Sequence, residues 1–486
     1  MSEKQAASPN RSPGPSKGLV DSIATGWAPR PPAPEGPLPS VMFASRRREV
    51  VSAAFPGERL VVPAGGFKVR SNDCDYRFRP HSAFVHLTGL GGDREPDAVL
   101  VLEPRPDDDG HDAFLYFKPR GERDEEEFWR NARYGEFWIG PRPSLGEVEI
   151  ELGLTCRHID DLADALAKDD GLVPTRVVPA VDDDVTDLVH AAGGATTEAD
   201  TTFGSFLSEL RLIKDAYEIE QLELSCRSTA EGFAEVVKAL PTAVERGRGE
   251  RWVEGVFELV ARHRGNGVGY DTIAAAGPHA CTLHWIRNDG DVAPGELLLL
   301  DAGVEADSLY TADVTRTIPV DGRFTPVQRR VYEAVLAAQA AGFAAVKPGN
   351  VFSDVHAAAS RVVAEKLAEL GVLPVTPAES LAPDGGQHRR WMVHGTSHHL
   401  GLDVHDCALA RQEAYHGAVL RPGMVLTVEP GLYFKADDLT VPAELRGIGI
   451  RIEDDVLVTE DGYRILSDDV PRDPDQVESW MSSLRD

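Results

Sequence analysis

Four consecutive leucines, Leu297–Leu300, lead directly into Asp301, and Gly303 follows two residues later. An apolar run of this kind predicts a strand that is buried on both faces. A carboxylate at the end of such a strand costs free energy unless a partner neutralises it. The sequence therefore predicts either a cation near Asp301 or a simpler role for this carboxylate as a turn cap before Gly303.

A second acid, Asp313, begins a segment of strand-like alternation that continues through Thr315 and Thr317. Alternate residues of a strand point to one face, so these three side chains are expected to lie together. Asp301 and Asp313 are 12 positions apart, a spacing that lets two adjacent antiparallel strands bring both carboxylates to one place. The alternative is a pair of unrelated surface acids on a hairpin.

Histidines are concentrated in a short segment near the C-terminal end of the chain. Four of the 15 histidines lie within twelve residues, namely His394, His398, His399 and His405. Imidazole is a common metal ligand and proton carrier at neutral pH. One of these side chains is therefore a candidate metal ligand, and others are candidates for substrate binding. The alternative is a polar loop whose histidines are ordinary hydrogen-bonding groups.

Two further strand-like segments carry glutamates. The apolar run 424–428 leads into Glu429, and the proline that follows cannot extend a central strand. In the segment 447–453, three isoleucines alternate with a glycine, Arg451 and Glu453. This alternation predicts a strand with one apolar face and one charged, partly buried face. A solvent-facing edge strand is the alternative.

Taken together, these segments supply four carboxylates and one imidazole, from Asp301, Asp313, His398, Glu429 and Glu453. Four carboxylates in one cavity repel one another, and some would stay protonated. Two divalent cations cancel that charge. An oxygen-rich set with one imidazole suits Mn²⁺, with Co²⁺ or Zn²⁺ as alternatives. Because carboxylates can bridge, five side chains suffice for two ions about 3.5–4 Å apart.

The charge of the chain narrows the classes of partner. Lys and Arg number 50 and Asp and Glu 79, which gives a formal net charge of −29. Such a surface repels phosphate and anionic lipid, so neither a nucleic-acid nor a membrane partner is predicted. No apolar run reaches the roughly 18 residues of a membrane span, and no signal-peptide core is visible. With five widely spaced cysteines that suggest no disulfide framework, the sequence predicts a cytoplasmic protein.

The length of 486 residues predicts more than one domain. Residues 1–40 are rich in Pro, Ser, Gly and Ala, which predicts a disordered arm. Residues 41–195 alternate between strands and helices, as in a small α/β domain. A Gly- and Thr-rich linker at 190–204 then leads into a C-terminal domain, 205–486. Buried strands are predicted near 60–62, 98–102 and 114–117, and helices at 159–168, 184–192, 214–240, 252–264, 327–346 and 353–370, with Gly265 as a C-cap and Ser353 as an N-cap.

The order of these motifs resembles the pita-bread metallopeptidases, and most closely the Xaa-Pro aminopeptidases (aminopeptidase P). The matching segments are Asp301-Ala302-Gly303, Asp313-Val314-Thr315-Arg316-Thr317, His394-Gly395-Thr396-Ser397-His398, Val428-Glu429-Pro430-Gly431 and Gly449-Ile450-Arg451-Ile452-Glu453-Asp454. The resemblance implies an α+β protein with a C-terminal pita-bread domain, a curved antiparallel sheet covered by helices, and a smaller N-terminal α/β domain. Residues 70–79 and 87–89 resemble the auxiliary domain of aminopeptidase P. The Asp301–Asp313 interval is one residue longer than in bacterial members, which predicts a longer hairpin turn at 305–309.

The resemblance also implies a role for each candidate residue. Asp301 would chelate one metal, Asp313 and Glu453 would bridge both, and His398 and Glu429 would complete the other. Three histidines match active-site histidines of the family: His284 one that stabilises the tetrahedral intermediate, His394 one that binds substrate or intermediate, and His405 one on the leaving-group side. Arg451 matches an arginine behind the metal ligands. Asp73 matches an N-terminal-domain residue that reaches toward the site, and Trp129 matches an aromatic residue that enters a neighbouring subunit's site in tetrameric relatives.

The implied function is release of the N-terminal residue from peptides whose second residue is proline. A hydroxide bridging two metals would attack the first carbonyl carbon, and Glu429 would relay a proton to the proline nitrogen. The implied assembly is a homo-oligomer, either a dimer or a tetramer. Three alternatives remain: a prolidase restricted to dipeptides, a metal-free amidinohydrolase of creatinase type, and a non-catalytic binding protein on the same fold. The last two usually lack carboxylate ligands, and all of them are present here.

Overall fold

The structure, a computed structural model, describes residues 16–485. The chain divides into two compact units, Met1–Gly204 and Ser205–Asp486. Each unit has its own sheet structure and its own buried apolar clusters. Among the described residues, no helix is both long and apolar enough to cross a membrane.

The first unit is built around a five-stranded mixed sheet, whose strands in spatial order are β6 (Thr155–His158), β5 (His111–Phe117), β4 (Val99–Pro104), β1 (Arg59–Pro63) and β7 (Thr175–Val177). The β1–β7 and β5–β6 pairs are parallel, and the β1–β4 and β4–β5 pairs are antiparallel. The predicted strands in β1, β4 and β5 are confirmed. The elements are α1 (Lys17–Ile23), α2 (Val41–Ala54), β1 (Arg59–Pro63), β2 (Val69–Ser71), β3 (Cys74–Asp75), α3 (Ser82–Thr88), β4 (Val99–Pro104), β5 (His111–Phe117), α4 (Glu126–Arg130), α5 (Glu136–Ile139), α6 (Leu145–Leu152), β6 (Thr155–His158), a 3₁₀ turn (Ile159–Asp161), α7 (Leu162–Ala167), β7 (Thr175–Val177) and α8 (Asp183–Ala192).

Residues 16–40 differ from the expected disordered arm. Helix α1 forms there, and Trp27 packs edge-on against Phe128 with ring centroids 5.4 Å apart. Arg30 forms an ion pair with Glu136. The Pro-rich composition of this segment does not indicate these contacts, because each depends on a single side chain, Trp27 or Arg30, and on a residue about 100 positions away. The rest of the predicted arm, residues 1–15, lies outside the described residues.

The predicted linker at 190–204 is wrong at both ends, because α8 continues to Ala192 and the helix α9 (Thr197–Leu210) begins five residues later. Phe203 is fully buried and packs against Phe55, with ring centroids 5.4 Å apart. Asp200 accepts a 2.8 Å hydrogen bond from the backbone N–H of Val177. These contacts fix a Thr-rich segment whose helix propensity is weak, since tertiary packing commonly overrides propensity.

The second unit carries long helices around antiparallel strands. Strand β10 (Leu297–Ala302) pairs with β9 (Ile273–Ala276) and β12 (Val314–Pro319), and β16 (Asp454–Val458) pairs with β13 (Val425–Val428) and β17 (Tyr463–Ile465). Two further pairs are β14 (Gly431–Phe434) with β15 (Ile448–Arg451) and β8 (Gly267–Val268) with β11 (Val304–Glu305). Two apolar clusters flank these strands, one against α10 (Ala216–Arg246) and α11 (Gly249–Arg264) and the other against α12 (Pro326–Ala345) and α13 (Ser353–Glu369). The elements are α10 (Ala216–Arg246), α11 (Gly249–Arg264), β8 (Gly267–Val268), β9 (Ile273–Ala276), a 3₁₀ turn (Gly277–Cys281), β10 (Leu297–Ala302), β11 (Val304–Glu305), β12 (Val314–Pro319), α12 (Pro326–Ala345), α13 (Ser353–Glu369), α14 (Pro377–Leu381), a 3₁₀ turn (Gln387–Arg390), β13 (Val425–Val428), β14 (Gly431–Phe434), β15 (Ile448–Arg451), β16 (Asp454–Val458), β17 (Tyr463–Ile465) and α15 (Pro474–Arg485).

The predicted helices of this unit are confirmed to within a few residues, with α10 extending further than expected. Gly265 is the C-cap of α11, as predicted. The N-cap of α13 is Phe352 rather than Ser353, and no side chain caps this end. A turn follows β11, where the N–H of Leu309 donates to the carbonyl of Ala306, within the predicted range 305–309.

Candidate metal centre

Backbone pairing brings three acids of the second unit to one part of the sheet. Strands β10 and β12 pair so that Asp301 lies opposite Thr315, and Asp313 immediately precedes β12. The backbone N–H of Glu453 donates to the carbonyl of Thr315 at 3.0 Å. The hairpin that aligns Asp301 with Asp313 therefore also receives Glu453 from a segment about 140 residues further along the chain.

Strand β13 places the remaining two candidates. The N–H of Thr427 donates to the carbonyl of His398 at 2.9 Å, and the N–H of Glu429 donates to the carbonyl of Thr396 at the same distance. The histidine-rich loop therefore runs alongside β13, with His398 next to the strand and Glu429 at its end. Because β13 pairs with β16, which begins directly after Glu453, all five candidates approach one another.

Donor atoms from three of the candidates converge closely. One ligand atom each from Asp313, His398 and Glu453 lies within 4.8 Å of the other two. Nε2 of His398 is 3.2 Å from Oδ2 of Asp313 and 3.8 Å from Oε1 of Glu429. Carboxylate oxygens and one imidazole nitrogen at this spacing are a donor set that suits a first-row divalent cation.

Asp301 joins the group through Tyr270. The Tyr270 hydroxyl lies 2.7 Å from Oδ1 of Asp301 and 2.6 Å from Oδ1 of Asp313. One phenolic proton cannot serve two carboxylates at once, so the second contact needs a proton on a carboxyl group or a cation nearby. Asp301 also receives a hydrogen bond from the guanidinium of Arg451. One Arg does not balance this many acids.

The pKa values of three of these acids are raised, which indicates that the site holds more negative charge than its cationic side chains balance. Burial raises the pKa of Asp301, and burial with the charges of Asp313 and Glu429 raises the pKa of Glu453 well above its ordinary value. Burial also raises the pKa of Glu429 to about 7. Without cations these carboxyl groups keep protons, because several charges in one buried place repel. Two divalent cations would balance the negative charge of the four carboxylates, and the imidazole adds a nitrogen ligand, so this set of residues fits two such cations.

A chain of hydrogen bonds runs behind the acids. Nη1 of Arg451 donates to the hydroxyl of Tyr433 at 3.1 Å, and that hydroxyl lies 2.9 Å from Nε2 of His394. Nδ1 of His394 lies 2.6 Å from the carbonyl of Gly395 and therefore carries the proton, which leaves Nε2 to accept from Tyr433. Burial and the charge of Arg451 lower the pKa of His394 to about 4, so this imidazole is neutral at pH 7.

The other two predicted histidines lie around the same centre. The ring of His405 meets the ring of His398 edge-on, with centroids 4.5 Å apart. Burial and the charge on His398 lower the pKa of His405. His284 is exposed, and it is near enough that a charge on it lowers the pKa of both His394 and His405. The second unit therefore holds all of the predicted site residues that belong to it in one region.

Asp73 and Trp129 belong to the first unit. Asp73 is exposed in the turn between β2 and β3, where its carboxylate accepts from the side chain of Asn72. Trp129 is partly buried on α4, and its carbonyl accepts a 2.7 Å hydrogen bond from the indole of Trp138. Their roles toward substrate stay predictions.

Sequence reasoning missed several residues that shape this centre. Tyr270 and Tyr433 stand in short segments with no periodic pattern, so no local signal marks them. Arg316 and Asp454 form a 2.7 Å ion pair in which both side chains are fully buried. Asp455 accepts from the N–H of Asp313 at 3.0 Å. The two aspartates had a visible signal, since they follow Glu453 directly and begin an apolar strand.

Comparisons with known proteins agree with this geometry. The model of the family described as "Metallopeptidase family M24" matches residues 220–460, and the model described as "Aminopeptidase P, N-terminal domain" matches residues 43–171. The chain is 53% identical over 460 residues to Xaa-Pro aminopeptidase 2 of Streptomyces coelicolor, covering 95% of each protein. It is 32% identical to the Xaa-Pro aminopeptidase of Escherichia coli, with 91% of this chain and 98% of that protein covered.

Solved structures of aminopeptidase P are also similar to this chain. Aminopeptidase P from Escherichia coli in its low-pH form aligns with a TM-score of 0.81 at 30% identity, covering 92% of this chain and 99% of that one. The fold is accordingly the predicted α+β arrangement, with a C-terminal pita-bread domain after a smaller N-terminal domain. The chain therefore belongs to metallopeptidase family M24, and within it to the Xaa-Pro aminopeptidases.

Proposed function

We propose that this protein releases the N-terminal residue from peptides that have proline in the second position. The observation that carries the proposal is the convergence of Asp313, His398 and Glu453, whose ligand atoms lie within 4.8 Å of one another, with Asp301 and Glu429 beside them. Two divalent cations held by these five side chains would supply an activated water and stabilise developing negative charge. An intact acid set argues against a metal-free amidinohydrolase and against a non-catalytic scaffold.

The surrounding side chains supply the remaining chemistry. His284, which is exposed on a loop, would donate a hydrogen bond to the oxyanion that forms at the first carbonyl. His394 and His405 are neutral at pH 7 because of the lowered pKa of each imidazole. The one N–H of His405 would orient the substrate, whereas the N–H of His394 is bonded to the carbonyl of Gly395, so His394 would line the substrate site with its ring. Glu429, whose pKa is raised to about 7 in the metal-free protein, would carry a proton toward the leaving nitrogen.

Selectivity for proline follows from the chemistry of the scissile bond. The nitrogen of an Xaa-Pro bond belongs to a tertiary amide and has no N–H to donate. A pocket shaped for the pyrrolidine ring, without an acceptor for a scissile N–H, would reject other residues there. The free α-amino group would lie near Asp301, which limits cleavage to the first residue. Asp73 would approach the substrate from the first unit, and Trp129 would act from a neighbouring subunit.

The test is turnover of Xaa-Pro dipeptide, tripeptide and longer peptides, with metal content measured in parallel. We expect cleavage of tripeptides and longer substrates, loss of turnover after chelation and recovery on adding Mn²⁺. A matched peptide with alanine in the second position is the control and should be cleaved far more slowly. Turnover of dipeptides alone would indicate a prolidase, and full activity in metal-free protein would exclude the two-cation site.

Mn²⁺ is the proposed metal, because four carboxylates outnumber the one imidazole and no thiolate takes part. Co²⁺ and Zn²⁺ are the alternatives. Titrating metal-free protein with each ion, and measuring both bound metal and turnover, distinguishes them. About two ions per chain are expected at saturation.

A homo-oligomer, either a dimer or a tetramer, is the proposed assembly. Phe137, Trp138 and Ile139 on α5 are exposed by 59%, 62% and 50%, an apolar surface of the kind that marks association sites. Sedimentation of the wild type and a Trp138→Ser variant tests this. A cytoplasmic location is proposed because all five cysteines are free and four of them are buried, as suits a reducing compartment.

A further inference from the structure

Glu250, near the start of α11, is fully buried yet has no role in the chemistry above. Its carboxylate accepts four hydrogen bonds, and every donor lies in or next to the connection between β9 and β10. The donors are the N–H of Ala276 (2.8 Å), Nδ1 of His279 (2.7 Å), Nε1 of Trp285 (2.8 Å) and the N–H of Gly290 (2.6 Å). A buried carboxylate is tolerated when its lone pairs are satisfied in this way.

The two carboxylate oxygens of Glu250 bond to opposite ends of the connection. Oε1 holds the beginning of the connection, at Ala276 and His279, and Oε2 holds its end, at Trp285 and Gly290. We call residues 277–290 the His284 loop, since His284 stands between these two anchor points. His279 and Trp285 stack with ring centroids 4.0 Å apart, which closes the loop on itself beside the carboxylate.

Two glycines permit this arrangement. A Cβ atom at Gly290 would lie 2.7 Å from Oε2 of Glu250 and 2.6 Å from Cε1 of His279. A Cβ atom at Gly449 would lie 2.4 Å from the backbone of Ala280. The His284 loop is thus pressed against Glu250 on one side and against β15, which also carries Arg451, on the other.

We propose that Glu250 is a positioning residue that fixes His284 for the reaction. The inference rests on the proposed function, in which His284 stabilises the oxyanion. Glu250 lies outside the acid cluster, and its carboxylate bonds only to the loop and the residue before it in the contacts described. Misplacing a catalytic group by about 1 Å is enough to cost about 100-fold in rate, so a histidine carried on a loop needs such an anchor.

The central experiment is a double-mutant cycle with Glu250→Gln and His284→Ala on an Xaa-Pro tripeptide. In the Glu250→Gln variant, the new amide nitrogen would face two N–H donors, so one end of the loop would be released. We expect Glu250→Gln to lower kcat about 10- to 100-fold, with KM and bound metal within about twofold. If Glu250 acts through His284, the double variant should be no slower than His284→Ala alone.

Hydrogen exchange of the metal-free protein gives a readout that does not depend on turnover. Glu250→Gln should speed amide exchange in residues 277–290 and leave β10 and β12 unchanged. Gly290→Ala disturbs the same contact without altering Glu250 and should give the same exchange pattern and the same loss of kcat. Glu218→Gln is the matched control, because Glu218 is also a buried helix glutamate, hydrogen-bonded to Tyr310 at 3.0 Å and outside this loop.

Additive losses in the cycle, or faster exchange throughout the second unit, would show that Glu250 serves only general stability and would overturn the proposal. An unchanged kcat in Glu250→Gln would do the same. A wild type without turnover on any Xaa-Pro peptide would instead overturn the proposed function. In that case the exchange measurement still decides whether Glu250 anchors the loop.

Discussion

Nε2 of His398 lies 3.2 Å from Oδ2 of Asp313. Burial lowers the pKa of His398, but the hydrogen bond and charge of Asp313 and the charge of Glu429 raise it to about 9. In the metal-free protein a proton therefore occupies the place that a cation would take. Replacing this imidazole removes the only nitrogen donor of the five candidates.

The first prediction is that His398→Ala lowers the bound metal, measured by elemental analysis after purification in Mn²⁺, to about half of the wild-type content or less. His388→Ala is the control, because His388 is a buried histidine that bonds to Ser380 at 2.9 Å and to none of the candidate ligands in the contacts described. Equal metal content in the two variants would remove His398 from the ligand set.

Tyr270→Phe provides the second prediction. The hydroxyl lies within hydrogen-bonding distance of both Asp301 and Asp313, and groups that orient metal ligands typically contribute about 10- to 100-fold in affinity. We expect Mn²⁺ affinity, measured by calorimetric titration of the metal-free protein, to fall by that factor while the folded content stays the same. Tyr332→Phe is the control, because that buried hydroxyl donates to the carbonyl of Arg472 instead. Equal affinities would show that Tyr270 does not orient the acids.

Two of the candidate ligands, Asp301 and Glu453, were predictable because each interrupts a strong local pattern. Asp301 ends an all-leucine strand, and Glu453 alternates with isoleucines, so a charge appears where apolar packing is expected. Tyr270 and Glu250 interrupt nothing. Their importance comes from hydrogen bonds to residues 26 to 43 positions away, and such contacts leave no periodic trace in a single sequence.

The same reasoning explains the errors in the fold. Composition predicted an unstructured arm and a linker, but Trp27 and Phe203 each pack against an aromatic ring that lies far along the chain. A single large side chain contributes little to a window average, yet full burial, as at Phe203, stabilises by about 1.5–3 kcal/mol. Trp27 is 44% exposed and contributes less. Ordered segments with few such residues are therefore the ones that composition assigns wrongly.

The third prediction concerns the stability that a buried ion-pair network contributes. Asp406 lies 3.0 Å from Nε of Arg211 and 3.1 Å from Nζ of Lys214, and all three side chains are nearly inaccessible. Asp406→Ala would leave Lys214 without its carboxylate partner and Arg211 with only Asp403, at 3.6 Å. Removing the shared partner of two buried cations costs about 3–5 kcal/mol. Urea unfolding followed by fluorescence measures the loss. Glu333→Ala, which removes an exposed pair with Arg329, should cost about 1 kcal/mol or less. Similar losses in both variants would contradict the prediction.

The fourth prediction concerns pH and the first unit. Burial, together with the charge of Asp182, raises the pKa of Asp97 to about 6. The folded state therefore holds a proton on Asp97 that the unfolded state has released, and the stability due to this proton is lost as the pH rises through about 6. Asparagine resembles the protonated acid and can still accept the hydrogen bond from the Tyr134 hydroxyl.

Asp97→Asn should accordingly be more stable than the wild type at about pH 8, by about 2 kcal/mol, and equally stable at about pH 4. Calorimetric scans across this range, following the transition of the first unit, measure the difference. Asp109→Asn, at an exposed position of the same unit, is the control and should change stability little at either pH. A gain from Asp97→Asn that is the same at both ends of the range would show that the side-chain shape, and not the charge of the carboxylate, sets its contribution.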